Sequence, residues 1–297
     1  MTSGTSAPRF HHWEAVIRPG AWAVVSKAVL VGLAVQAVGT LPWSALAALN
    51  IESCPSIPFA APLAAGYLWV FWRWLGGSGP PRATASARCS ALRAGSLSAQ
   101  GWALSLVAGM AGLSGVVAAL IALRRIAPFP QIDIPSLAGV PSATVLSLVV
   151  MSAVVAGVVE EAAFRGYMQF RLEQHLGAAE SIAITSAVFG AIHMSHGLSL
   201  IRFLADAAFG VVYGVLAWAA GSILPGLVLH AGLDALQFLS VRRLRPALES
   251  AQNAGADTWF WVLLGLATVL VIAYGTATRI LLHRRDAGSR RVSAKRR

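Results

Sequence analysis

Apolar positions run along this chain in long, nearly unbroken stretches, and polar residues gather in the gaps between them. An α-helix needs about 20 such residues to cross the hydrocarbon core of a bilayer. On that measure the pattern predicts about eight crossing helices. They fall at 21–49, 55–74 and 102–123, then from Ser142 past Glu160 and Glu161, and at 178–194, 203–220, 223–241 and 259–282. Lys27, near the start of the first, is long enough to snorkel its charge to the interface. Tyr67, Trp69, Trp72 and Trp74 close the second with the aromatic residues favoured at headgroup level. The Gly-, Pro-, Ser- and Arg-rich stretch 76–100 reads as a loop, as does 127–141, and a polar stretch from Arg165 to His175 follows the fourth span. Small residues recur inside the spans, Gly109, Gly112 and Gly115 in one and Gly210 and Gly214 in another, as close packing in lipid favours. The expected fold is all-α, a polytopic transmembrane helical bundle. Three regions follow: 1–141, 142–241 where polar residues enter the spans, and 242–297 with the last span and a basic tail.

Composition supports this. Of 297 residues, 57% are hydrophobic and only 12% charged, against about 25% charged in soluble domains. The net charge of +11 sits mainly in the tail (Arg279, Arg284, Arg285, Arg290, Arg291, Lys295, Arg296, Arg297) and in 73–93. On a soluble protein it would raise nucleic acid as a partner. Flanking membrane spans, it points instead to cytoplasmic retention and anionic lipid, with no nucleic-acid partner. An even number of spans places both basic termini in the cytoplasm, together with 73–93; the clusters Arg124–Arg125 and Arg242, Arg243, Arg245 then fall outside, against the rule. The first apolar stretch is too long for the 7–15 residues of a signal-peptide core, so it reads as an uncleaved span. Cys54 and Cys89 fall on opposite sides of the membrane in this reading and do not pair.

The chemistry lies in residues that lipid does not tolerate. An ionised group at the bilayer centre costs roughly 2.5–3.5 kcal/mol, so it faces the bundle interior and finds a partner. The spans hold few: Glu160, Glu161, His193, Asp206, His230 and Asp234. Glu160 and Glu161 project about 100° apart on a helix and play different roles. Arg165 stands four residues after Glu161, the spacing of a structural ion pair, which leaves Glu160 free to face a cavity. Arg202 and Asp206 share that spacing and read as an interfacial pair. His230 and Asp234 stack on one helix face. A carboxylate in an apolar cavity suits general-base activation of water, a nearby histidine can position that water, and a second can stabilise an oxyanion.

Three motifs carry this set: Glu160-Glu161-Ala162-Ala163-Phe164-Arg165 (EExxxR), Phe189 to His193 (FxxxH) and His230 to Asp234 (HxxxN/D). In this order on successive helices they resemble the CAAX-protease and bacteriocin-processing family of glutamate-dependent intramembrane endopeptidases, which includes the type II CAAX prenyl endopeptidases. The resemblance spans residues 142–241. It implies Glu160 as catalytic base, His193 as the water-positioning partner, and His230 and Asp234 at the oxyanion, with Glu161 and Arg165 in support. An ionised Asp cannot donate to an oxyanion, so Asp234 is either protonated or serves by orienting His230, the favoured role. No cofactor is implied. The substrate is a membrane-associated peptide or protein, and the location a multi-pass protein of the bacterial cytoplasmic membrane.

Other readings use the same residues. Glu160, His193, His230 and Asp234 could bind Zn²⁺, although no H-E-x-x-H occurs. A non-enzymatic role as a proton relay in a transporter, or as packing glue in an immunity or scaffold protein, is also open; inverted-repeat symmetry, common in transporters, is not seen. Ser195 lies beside His193 and His196 without a G-x-S-x-G setting. His11, His12, His175, His196 and His283 read as interfacial or solvated.

Overall fold

In the computed structural model, residues 20–129, 137, 139–196 and 199–295 are described. His11 and His12 lie outside them, as do the side chains of Ser195, His196, Arg242 and the tail beyond residue 287. The described chain is α-helical, with no strand among these residues.

Helix α1 (Ala21–Ser53) ends in a turn organised by buried Asn50. The Asn50 amide donates to the carbonyls of Cys54 (2.9 Å) and Ile57 (2.8 Å), and its oxygen accepts from the Ala60 backbone N–H (3.0 Å). These bonds start α2 (Ala60–Leu75) antiparallel to α1. A short α3 (Ala85–Leu92) leads to α4 (Ala99–Ile126), whose first turn is capped by the Ser98 hydroxyl, an N-cap worth about 1 kcal/mol. Helix α5 (Ser142–Glu160) runs through a π-helical segment (Glu161–Gln169) into α6 (Phe170–Glu173) without a break. Helix α7 (Ala178–Ile192) closes in a 3₁₀ turn (His193–His196), followed by α8 (Leu200–Ala220), α9 (Leu224–Ser250) and α10 (Thr258–Lys295).

The interior has two parts. One joins α1, α2, α5, the π segment and α7 around Phe71, Val159, Phe164 and Met168. The other joins α4, α8 and α10 around Leu113, Val212, Leu216 and Tyr274. In the second, Gly109 and Gly112 admit Leu229, Val212 and Tyr274 at distances that a Cβ would block, so the glycine stripe of α4 is a packing seam. Large apolar side chains also cover the outside: Leu30, Leu41, Trp69, Leu236 and Trp259 are each more than 60% exposed. Contiguous exposed apolar surface on this scale belongs in lipid. The chain is an integral membrane protein.

Span length corrects the expected count. Among the described residues, five helices are long and apolar enough to cross a bilayer, or six if α9, which bends by 82° between Leu224–Ser240 and Arg243–Ser250, counts as one. The expected second and fifth spans are helices of only 16 and 15 residues, about 24 Å or less in length. The polar stretch expected to follow the fourth span from Arg165 instead continues it. Helix continues to Glu173, and Arg165 and Gln169 are buried.

At the end of the bundle near residue 126, the Asn253 and Gly255 N–H groups donate to the Arg124 and Arg125 carbonyls (3.3 and 2.8 Å). Arg125 pairs with Asp257, whose carboxyl is held below the usual carboxylate range by that guanidinium and by the Phe260 N–H. Arg124 and Arg125 thus anchor the turn between α9 and α10.

Candidate active site

The π segment is the local feature on which the site is built. Its i→i+5 bonding widens the turn, and such segments occur frequently at functional sites. All nine of its residues are buried, including Glu161, Arg165 and Gln169. Arg165 and Gln169, spaced by four, meet α8 at Gly210 and Gly214, spaced likewise. Arg165 Nη2 donates to the Gly210 carbonyl (3.4 Å) and Gln169 Nε2 to the Gly214 carbonyl (2.9 Å). Polar groups buried this deeply require partners, and the missing side chain at Gly214 makes room for Gln169, whose Oε1 a Cβ there would meet at 2.9 Å.

Glu161 and Arg165 form the expected pair, Oε1 to Nη1 at 3.2 Å, with side chains 0% and 1% exposed. The guanidinium is enclosed by the rings of Phe189 (4.5 Å), Tyr213 (5.1 Å) and Phe164 (5.8 Å). The same Glu161 Oε1 lies 3.0 Å from His230 Nδ1. The His230 ring is stacked on Tyr213, with centroids 4.7 Å apart and planes at 11°. Against a carboxylate paired with Arg165, Nδ1 carries the hydrogen and donates, and Nε2 is turned toward the other carboxylates. Gly226 permits this approach, since a Cβ there would come within 2.8 Å of Glu161 Oε2.

Around Nε2 the remaining groups gather. Glu160 Oε2 is 3.6 Å away and Asp234 Oδ2 3.8 Å. Glu160 Oε2 is also 4.0 Å from His193 Nε2. On the far side, Gln36 Nε2 donates to Glu160 Oε1 (3.5 Å). His193 Nδ1 is 2.8 Å from the Phe189 carbonyl. A carbonyl only accepts, so Nδ1–H donates to it and the neutral ring presents a lone pair at Nε2. Exposure divides the cluster. The side chains of Glu160 (12%), His193 (26%) and Asp234 (22%) are partly exposed, with Glu160 Oε2 itself buried and without a hydrogen-bond partner, while Glu161 and Arg165 form a sealed support.

The three motif segments therefore meet in space. Glu160 comes from the end of α5, His193 from the end of α7, and His230 and Asp234 from α9. Helices α5 and α9 approach closely because position 157 is Gly: a Cβ there would sit 2.8 Å from the Leu227 carbonyl and 2.9 Å from Ala231. Asp206 is apart from this group, bound to Arg202 at 2.7 Å as expected. One assignment changes. The group hydrogen-bonded to His230 is Glu161, whereas Asp234 stands beyond hydrogen-bond distance of its ring. Gln36 was missed because only ionisable groups were sought within the spans; a lone amide in the apolar run Val35-Gln36-Ala37 is the signal that marks it. Among the described residues, no group of three or more His, Cys, Asp or Glu side chains is disposed to hold a metal ion.

Residues 142–236 match the family model of the type II CAAX prenyl endopeptidase Rce1-like proteins. This segment is similar to that family. No curated protein and no solved structure matches the chain. The matched segment begins at the first residue of α5 and ends on α9 just past Asp234, so it contains all six motif residues. Gln36 reaches the cluster from α1, outside that segment, so the N-terminal region is part of the site's wall.

Proposed function

We propose that the chain is an intramembrane endopeptidase that hydrolyses a peptide bond of a membrane-associated protein or peptide, with Glu160 as general base. The observation that carries this reading is the convergence of Glu160, His193 and His230 from three separate helices around one carboxylate oxygen.

Glu160 Oε2 and His193 Nε2 are too far apart for a direct hydrogen bond, at the spacing one water bridges with bonds of about 2.8 Å to each. That water gives one hydrogen to Glu160 and the other to the His193 lone pair, which orients its oxygen toward a substrate carbonyl. As the oxygen attacks the carbonyl carbon, Glu160 takes the proton. Protonated His230 donates Nε2–H to the developing oxyanion, its ring fixed by Glu161 and by stacking on Tyr213. Asp234 borders the same nitrogen and biases the ring's position. When the carbon–nitrogen bond breaks, the proton on Glu160 passes to the departing amine, and the new carboxyl product leaves.

No step in this scheme uses a metal. The enzyme would act in the bacterial cytoplasmic membrane, where the basic segments face the cytoplasm. The test is cleavage of membrane-anchored peptides by protein reconstituted in vesicles, with and without 1,10-phenanthroline. We expect chelation to leave the rate unchanged and His193→Ala to lower it by about 10²-fold or more, the scale of a positioned acid–base group. Loss of activity on chelation, regained on adding Zn²⁺, would overturn the metal-free scheme.

A further inference from the structure

We propose that the pocket between α1, α3 and α6 seats the phosphate headgroup of an anionic phospholipid, with the acyl chains laid along α1. The pocket holds about 400 Å³ and lies on the opposite side of the π segment from α8. Three cations line it, Lys27, Arg88 and Arg171, and no carboxylate does.

The three cations offer an anion different things: Lys27 and Arg171 can donate to it, whereas Arg88, whose five N–H groups are all engaged, supplies charge alone. Arg88 is 5% exposed, yet its guanidinium is held only by neutral oxygens: the carbonyls of Trp74 (2.8 Å), Pro81 (3.0 Å), Gly79 (2.9 Å) and Ser78 (3.3 Å), and the Thr84 hydroxyl. Its charge is hydrogen-bonded without being neutralised. Lys27 and Arg171 are exposed, and neither has a carboxylate partner among the described residues. The other nearby arginine, Arg93, is neutralised by Glu173 at 3.0 Å. A buried charge lacking a counter-ion is costly, and an anionic ligand relieves that cost.

The surroundings specify a lipid over a soluble anion. Ala28, Val31, Tyr167 and Phe170 make up the apolar part of the wall. Lys27 stands in the second turn of α1, and beyond it the exposed side chains Leu30 (67%), Val31 (40%) and Val38 (58%) continue toward the middle of the span. Headgroup charge at a span end with an apolar stripe leading inward is the layout of an amphiphile aligned with the bilayer, and basic pockets between membrane helices bind such headgroups.

The experiment reconstitutes wild type and a Lys27→Gln/Arg171→Gln double variant in vesicles of equal phosphatidylglycerol and phosphatidylcholine. Retained lipids are then counted by native mass spectrometry after mild extraction. Wild type should retain phosphatidylglycerol in preference. The double variant should lose that preference by about thirtyfold, from about fivefold for each cation. An Arg279→Gln/Arg284→Gln variant removes equal charge from exposed positions of α10 and should behave as wild type. Both pocket cations are exposed, so folding should survive; if the double variant fails to fold, the single variants carry the test at about fivefold each. Undiminished retention in the pocket variants, or equal loss in the α10 control, would overturn the proposal. So would inorganic phosphate binding in neutral detergent as tightly as the lipid, since it would mark a soluble-anion site.

Discussion

Glu161 bonds to two partners with one oxygen: it neutralises Arg165 and fixes the ring of His230. Substituting Glu161→Gln leaves Arg165 buried with no counter-charge, which should destabilise the protein by about 3–5 kcal/mol, read as a fall in the detergent melting temperature. The double variant Glu161→Gln/Arg165→Met removes both charges and should recover much of that stability. Activity should stay depressed, because the carboxylate that fixes His230 remains absent. Recovery of both together would mean that Glu161 serves only as glue. At this scale most of the site was legible, since ionisable residues within apolar spans stand out against the cost of burying them. The pairing of Glu161 with Arg165 and of Asp206 with Arg202 followed from four-residue spacing alone. What spacing could not supply was the partner of His230. Asp234 is its neighbour on the same helix, while the group that bonds to it lies 69 residues away on another.

At the scale of elements, the π segment and the glycines facing it decide where the side chains point. Gly157 lets α5 and α9 close to backbone distance just before Glu160. In Gly157→Val the side chain must displace the Leu227 carbonyl or Ala231, pushing α9 away and carrying His230 with it. We expect kcat to fall by about tenfold to a hundredfold, as misplacement of about 1 Å can do. The protein should remain folded and extractable; wild-type kcat in a folded Gly157→Val variant would show that this contact does not set the site. The sequence could not announce the π segment, because Glu161 to Gln169 contains nothing that excludes ordinary α-helix. Its run of Arg165, Gln169 and nearby charges instead read as a polar stretch beyond the end of the span. Tertiary contact overrode that polarity: the carbonyls of Gly210 and Gly214 receive the groups that water would otherwise have solvated. The apolar runs at 55–74 and 178–194 likewise read as full crossings, and the structure shows helices too short for the measure by a turn or more.

For the whole molecule, the lipid-facing character of the bundle was the most legible property, because long apolar runs have few other stable placements. Its sidedness follows from charge. The start of α1, α3 and α6 meet at one end of the bundle, where Lys27, Arg88 and Arg171 cluster, and that end should face the cytoplasm. Cys89 is on α3 at this end, whereas Cys54 caps the other end of α1, roughly 50 Å along a helix of this length. A membrane-impermeant thiol reagent should therefore label Cys89 in inverted vesicles and leave it unmodified in right-side-out ones; the reverse pattern would invert the topology. The account as a whole depends on the proton-accepting role of Glu160. The most direct measurement compares wild type with Glu160→Gln, a change that keeps the shape and removes the base, in vesicles carrying membrane-anchored peptides, with new peptide termini detected by mass spectrometry. Wild type should generate them and Glu160→Gln should be slower by about 10²–10⁴-fold at equal folded yield. Cleavage by Glu160→Gln at the wild-type rate, or no cleavage by either protein, would contradict it.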